Sequence, residues 1–117
     1  MNKFSFIQDL IYCKMTYEEF TSKFKKGDII KRVDGWIFMY NSLLTNTRDG
    51  LVRHVILYDC LARLDSDYTS FATRTGIGCI EGGEFELATN KEIQQMIEKI
   101  NKKGYDWDFD EQKLNLI

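Results

Sequence analysis

Two Asp-Gly dipeptides, Asp34-Gly35 and Asp49-Gly50, constrain this chain more than any other feature of it. Asp-Gly between apolar runs marks a hairpin, because the tight turns that match strand twist need residues that tolerate positive φ. Around the first pair the apolar period is two. Residues 28–33 read as a strand. Residues 36–44 read as its return, with Trp36, Phe38 and Tyr40 on one face and Ile37 and Met39 on the other. Residues 45–50 read as a polar turn closed by the second Asp-Gly. Residues 51–60 then read as a third strand, apolar on both faces except at Arg53 and His54. Residues 65–75 are polar and rich in hydroxyls, and read as a loop or edge strand. Residues 76–80 and 84–87 read as short strands around Gly82-Gly83.

Helices announce themselves at two capping boxes. In Thr16-Tyr17-Glu18-Glu19 the threonine hydroxyl can accept a free backbone N–H while Glu19 reaches back. Tyr17, Phe20 and Phe24 then share a helical face, and Gly27 is the expected helix end. Thr89-Asn90-Lys91-Glu92 opens a helix over 90–103 with Ile93, Met96, Ile97 and Ile100 facing inward. Gly104 caps it, Tyr105, Trp107 and Phe109 alternate as a strand, and Leu114 and Leu116 alternate back. A further short helix over 4–13, capped by Ser5, is expected near the start.

The fold class that follows is α+β: a small, partly open antiparallel β-barrel (SH3-like) packed with one amphipathic helix, plus a short N-terminal helical segment. One domain is expected over 1–117, with the helical segment in 1–26 and the barrel, its helix and a C-terminal hairpin in 27–117. Composition agrees. Aromatic residues at 14% supply the burial material that unfolded chains lack. No stretch approaches the ~20 apolar residues of a membrane span, and the first fifteen residues do not read as a signal peptide.

Charge and cysteine usage narrow the chemistry. The net charge is −2, whereas duplex-binding domains usually carry a basic excess. Nucleic acid is therefore an unfavoured partner, with Lys23, Lys25, Lys26, Lys31 and Arg32 as the local basic patch that would argue otherwise. Cys13, Cys60 and Cys79 are an odd, scattered set without zinc spacing, which suits a reducing compartment and implies no metal site. Cys60 and His54 are separated by an even number of residues, which on a regular strand puts them on one face but about 20 Å apart, too far for a nucleophilic pair. Gly76-Ile77-Gly78 with Gly82-Gly83 lacks phosphate-loop spacing and reads as a bulge. Asp65-Ser66-Asp67 lacks the later ligands of a calcium loop. Asp106, Asp108 and Asp110 read as the solvated face of the last hairpin.

One polar window remains. Arg74 lies between Thr73 and Thr75, with Arg53 and Tyr68 nearby in the order of the chain. Guanidinium groups bind phosphate bidentately, hydroxyls add donors and an aromatic ring stacks on a base. Arg74, Thr73, Thr75, Arg53 and Tyr68 are the candidate ligand-binding residues. Neither a catalytic set nor a cofactor is implied.

Several motifs carry a resemblance. Gly27-Asp28-Ile29-Ile30, the aromatic run from Trp36 to Tyr40, Ala88-Thr89-Asn90-Lys91-Glu92, Gly104-Tyr105-Asp106-Trp107-Asp108 and Lys113-Leu114 resemble a small domain of uncharacterised phage and prophage proteins of gut bacteria. The likeness spans roughly residues 24–117, and residues 61–83 depart from it. It implies an accessory protein acting in the cytoplasm of a bacterial host, by analogy with counter-defence proteins, and transfers no functional residue. The expected function is non-enzymatic: sequestration of a small phosphorylated nucleotide-like molecule, at the interface of a homo-oligomer. The alternatives are inhibition of a host protein through a sheet edge, and single-stranded nucleic-acid binding on a Trp36, Phe38 and Tyr40 platform.

Overall fold

The structure is a computed structural model that describes residues 15–71 and 76–117. The expected helix over 4–13, Cys13, and the window of Thr73, Arg74 and Thr75 lie outside the described residues.

The chain is α+β. Helix α1 (Tyr17–Lys23) is followed by strands β1 (Ile29–Arg32), β2 (Trp36–Arg48), β3 (Leu51–Arg63), β4 (Thr69–Ser70) and β5 (Gly76–Cys79). A 3-10 turn (Ile80–Gly82), β6 (Phe85–Leu87), helix α2 (Asn90–Lys102) and a hairpin of β7 (Tyr105–Asp108) and β8 (Lys113–Leu116) complete it. The main sheet runs β4-β3-β2-β1-β6, with β5 also on β3, and its pairs are antiparallel.

No strand pair among the described residues closes this order into a barrel. The sheet is open, and a helix lies on each face. Phe38 and Tyr40 join Phe20, Phe24, Ile30, Tyr58, Ile80 and Phe85 under α1. Ile37 and Met39 join Ile29, Cys60, Ala62, Met96, Ile100 and Trp107 under α2 and the second hairpin. Two covered faces remove the apolar surface that closure would otherwise have to hide. Helix α1 is therefore a structural layer: Phe20 meets Tyr40 edge-on at 5.3 Å and Phe85 at 5.7 Å.

Both capping boxes form as expected. Helix α2 ends as its glycine suggests, with Lys103 as C-cap and Gly104 at φ +88° directly after it, whereas α1 stops earlier than Gly27 suggests. Lys23 ends α1, and Phe24 is already extended, at φ −125° and ψ 146°, so that its ring enters the core. Gly27, at φ +92°, instead serves the turn in which the Asp28 amide donates to the Lys25 carbonyl. On α2, Met96 and Ile100 are fully buried and Ile93 and Ile97 half-buried.

The two Asp-Gly turns differ. At the first, the Gly35 amide donates to Arg32 O at 3.0 Å and only the glycine has positive φ. At the second, Asp49 (φ 53°) and Gly50 (φ 76°) are both left-handed, the signature of a two-residue type I′ turn. The turn is thus far shorter than residues 45–50, and β2 and β3 run to 13 residues each. Residues 44–47 are exposed, so they show the composition of a turn while pairing as a strand.

The β2–β3 ladder contains two bulges at one level. Met39 pairs with Cys60, Tyr40 with Tyr58, and Ser42 with Leu57. Asp59 is therefore an extra residue on β3 and Asn41 an extra residue on β2. Each insertion shifts the alternation of its strand by one, so Tyr58 and Cys60 belong to opposite cores. A third bulge lies where expected: Val55 pairs with Cys79 and Leu57 with Gly76, and Gly78 takes φ +122°.

Ile100→Ala should lower unfolding free energy by about 2–5 kcal/mol in urea denaturation, as for buried aliphatic truncations generally. Ile97→Ala should cost clearly less. Equal losses would mean that α2 presents a different face.

Candidate functional site

Asn41 and Asp59, the two inserted residues, line the same cleft of about 350 Å³. Asn41 Nδ2 donates to Asp59 Oδ1 at 3.1 Å, and Ser42 Oγ donates to Asn41 Oδ1 at 2.9 Å. These bonds fix the amide orientation, since a carboxylate accepts and a hydroxyl facing the amide oxygen donates. Lys26, Phe71 and the second hairpin's Glu111, Gln112, Lys113 and Leu114 complete the walls.

Local chain geometry sets each wall. Asp108 Oδ1 accepts from the amides of Asp110 and Glu111, both at 3.0 Å, and so shapes the turn that carries Glu111 and Gln112. Asp108 is thus a turn organiser rather than part of a purely solvated face. Phe109 belongs to that turn, 60% exposed, and not to the strand. Gln112 packs on Gly27 so closely that a Cβ there would come within 2.4 Å of it. Phe71 is held by its stack on Tyr105, with ring centroids 4.4 Å apart.

Of the sequence candidates, the two among the described residues, Arg53 and Tyr68, are not brought together. Arg53 and Tyr68 lie at opposite ends of the ribbon. Tyr68 packs edge-on against Trp36 at 5.6 Å, and Trp36 pairs with Arg63, so roughly ten residues, about 30 Å, of β3 separate Tyr68 from Arg53. Thr69 and Ser70 form β4 opposite Ala62 and Leu61. Tyr58 is core.

His54 is held at two points by Glu81. The backbone amide donates to Oε1 at 2.9 Å, ring Nδ1 lies 2.7 Å from Oε2, and Tyr17 of α1 covers the ring at 4.6 Å. The Asp59 bulge reverses the expectation that His54 and Cys60 share a face: His54 lies under α1, Cys60 under α2. Burial pushes the Cys60 thiol up to about 12. Burial also raises Cys79, with Glu81 adding to the effect and Arg53 opposing it.

Two residues of the basic patch, Lys31 and Arg32, are paired within the fold. Lys31 binds Glu86 at 3.0 Å and Glu92 at 2.8 Å. Arg32 binds Asp34 and donates to the Ile77 carbonyl. Of the expected stacking platform, Phe38 and Tyr40 are buried. Asn41 and Glu81 escaped the sequence reading. Polar residues that interrupt an apolar run, as Asn41-Ser42 do between Tyr40 and Leu43 and Asp59 does between Tyr58 and Cys60, are the signal that could have pointed to the bulges.

No family model matches the chain, and no curated protein and no solved structure matches it either. Among the described residues, no His, Cys, Asp and Glu cluster is arranged to hold a metal ion, and no helix is long and apolar enough to cross a membrane.

Two measurements check this picture. Iodoacetamide at neutral pH should leave Cys60 unmodified in the folded protein by mass spectrometry, because little thiolate forms. Labelling of Cys60 without unfolding would contradict its burial. The second concerns Glu92, whose carboxyl is held below the usual range, chiefly by Lys31 and then by the Thr89 amide. A depressed folded value adds stability above the unfolded value of about 4.3, which is lost as pH falls through the folded one. Lys31→Met should thus destabilise at pH 7 and converge on the parent in acid. A loss of equal size at both ends of a pH-dependent melting series would assign the effect to packing.

Proposed function

We propose that this protein is a non-enzymatic binding module that sequesters a small nucleotide-like ligand in the cleft between the β2–β3 ribbon and the second hairpin. The observation that carries the reading is the pair of bulges that adds Asn41 and Asp59 to one cleft wall. Bulges of this kind re-aim side chains beside functional sites. The lining groups suit recognition of each part of a nucleotide. An amide bonded to a carboxylate offers hydrogen bonds to a base edge, and Phe71 offers an aromatic wall. Glu111 can accept from ribose hydroxyls, and Lys26 and Lys113 supply positive charge for a phosphate. The cleft volume falls within the range of small-molecule sites. In this reading the site is built on Asn41, Asp59, Lys26, Phe71 and Lys113.

The wider setting is part of the same proposal: a phage or mobile-element accessory protein in a bacterial cytoplasm, acting by sequestration of a host molecule, with a homo-oligomer as its working form. The motifs shared with phage accessory domains support that setting.

A second reading has its own observation. β1 pairs with β2 only at Ile37, Phe38 and Met39, so beyond Tyr40 the outer edge of β2 has no strand beside it among the described residues. Such an edge suits strand addition by a host protein.

Calorimetry with purine mononucleotides tests the leading reading. Binding is expected, and the Lys26→Ala, Lys113→Ala double variant should weaken it at least about tenfold, as charge-assisted contacts are lost. Absence of binding at millimolar nucleotide would transfer the proposal to the β2 edge.

A further inference from the structure

We infer that the Asn41–Asp59 pair makes the cleft selective for a guanine base. This rests on the nucleotide reading above and specifies what the cleft wall distinguishes.

The inference follows from counting donors and acceptors. Asp59 presents two carboxylate oxygens. Oδ1 already accepts from Asn41 Nδ2 and keeps a second lone pair, and Oδ2 accepts nothing among the described residues. Asn41 Nδ2 carries a second N–H beyond the one given to Asp59. Its Oδ1 accepts from Ser42 Oγ, and a flipped amide would turn its oxygen onto the Asp59 carboxylate, which has no proton to give. The order that the Asn41–Asp59 hydrogen bond imposes on these groups is acceptor (Asp59 Oδ2), acceptor (Asp59 Oδ1), donor (Asn41 Nδ2).

The complement of that order is donor, donor, acceptor. Guanine carries it on its Watson–Crick edge as N2–H, N1–H and O6. Hypoxanthine lacks the exocyclic N2 donor, and xanthine puts an acceptor in its place. Adenine presents an acceptor at N1, where it would face the carboxylate, and a donor at N6, where it would face the Asn41 N–H. Sites built to satisfy polar groups reject analogues that leave those groups unpaired far more strongly than sites that merely fit a shape. The bulges make the array possible: in a regular ladder only alternate residues of each strand point to one face, whereas here Asn41 and Asp59 are additional residues at one level of the sheet.

The test is calorimetric titration of the full chain with GMP, IMP, XMP and AMP, together with Asp59→Asn. GMP should bind roughly tenfold or more tightly than IMP and more tightly still than XMP and AMP, a range expected for lost charge-assisted hydrogen bonds. Asp59→Asn should erase the preference for GMP over IMP. The ligand series on the unaltered protein stands even if that variant folds poorly. Equal binding of all four nucleotides, still weakened by the Lys26→Ala, Lys113→Ala double variant, would overturn the guanine assignment and leave the nucleotide cleft in place. No binding of any of them would overturn both.

Discussion

The rest of the structure is built outward from the antiparallel ladder between β2 and β3. β1 pairs with its inner part from one side, and β4 and β5 from the other. Near the Asp34-Gly35 turn both faces of β2 are apolar, with Ile37 and Met39 on one and Phe38 and Tyr40 on the other. A strand with two apolar faces needs two covers. Helix α1 supplies one through Phe20 and Phe24, and α2 with the second hairpin supplies the other through Met96, Ile100 and Trp107. The layered arrangement is thus a consequence of the β2 side-chain pattern, and the open sheet needs no closure into a barrel.

The ladder also decides where chemistry can lie. Toward its inner end the side chains are spent on packing. Toward the Asp49-Gly50 turn the ribbon becomes exposed, and its half-buried polar contact there is His54 with Glu81. Between the two regimes sit the paired bulges, where β2 leaves β1 and the second hairpin approaches. A cleft opens at that transition because the regular packing of one regime has ended and the other layer has not.

Much of this was legible in the chain, and the limits have physical causes. Both capping boxes, both Asp-Gly turns and the inward face of α2 are local features, in which a few neighbouring residues determine the backbone. The reach of β2 beyond Leu44 is not legible, because residues 45–47, exposed on both faces of the strand, carry the composition of a loop. The relation of His54 to Cys60 was misjudged because alternation counts residues, and a bulge adds one without adding a step. The end of α1 was misplaced because burial of the Phe24 ring outweighed the helical pattern it continued. The cleft was the least legible feature: it joins Lys26, Asn41, Asp59, Phe71 and Lys113, which come together only once the second hairpin folds back on the ribbon.

The register restored beyond the bulges has a further meaning. The same partner relation holds on both sides, from Trp36 opposite Arg63 to Arg48 opposite Leu51. A ribbon without Asn41 and Asp59 would therefore keep each remaining pair and leave each core side chain facing its own layer. The scaffold and the recognition wall are separable parts of one hairpin. The ladder carries two residues that its own pairing does not require, and the wall of the cleft is where they stand.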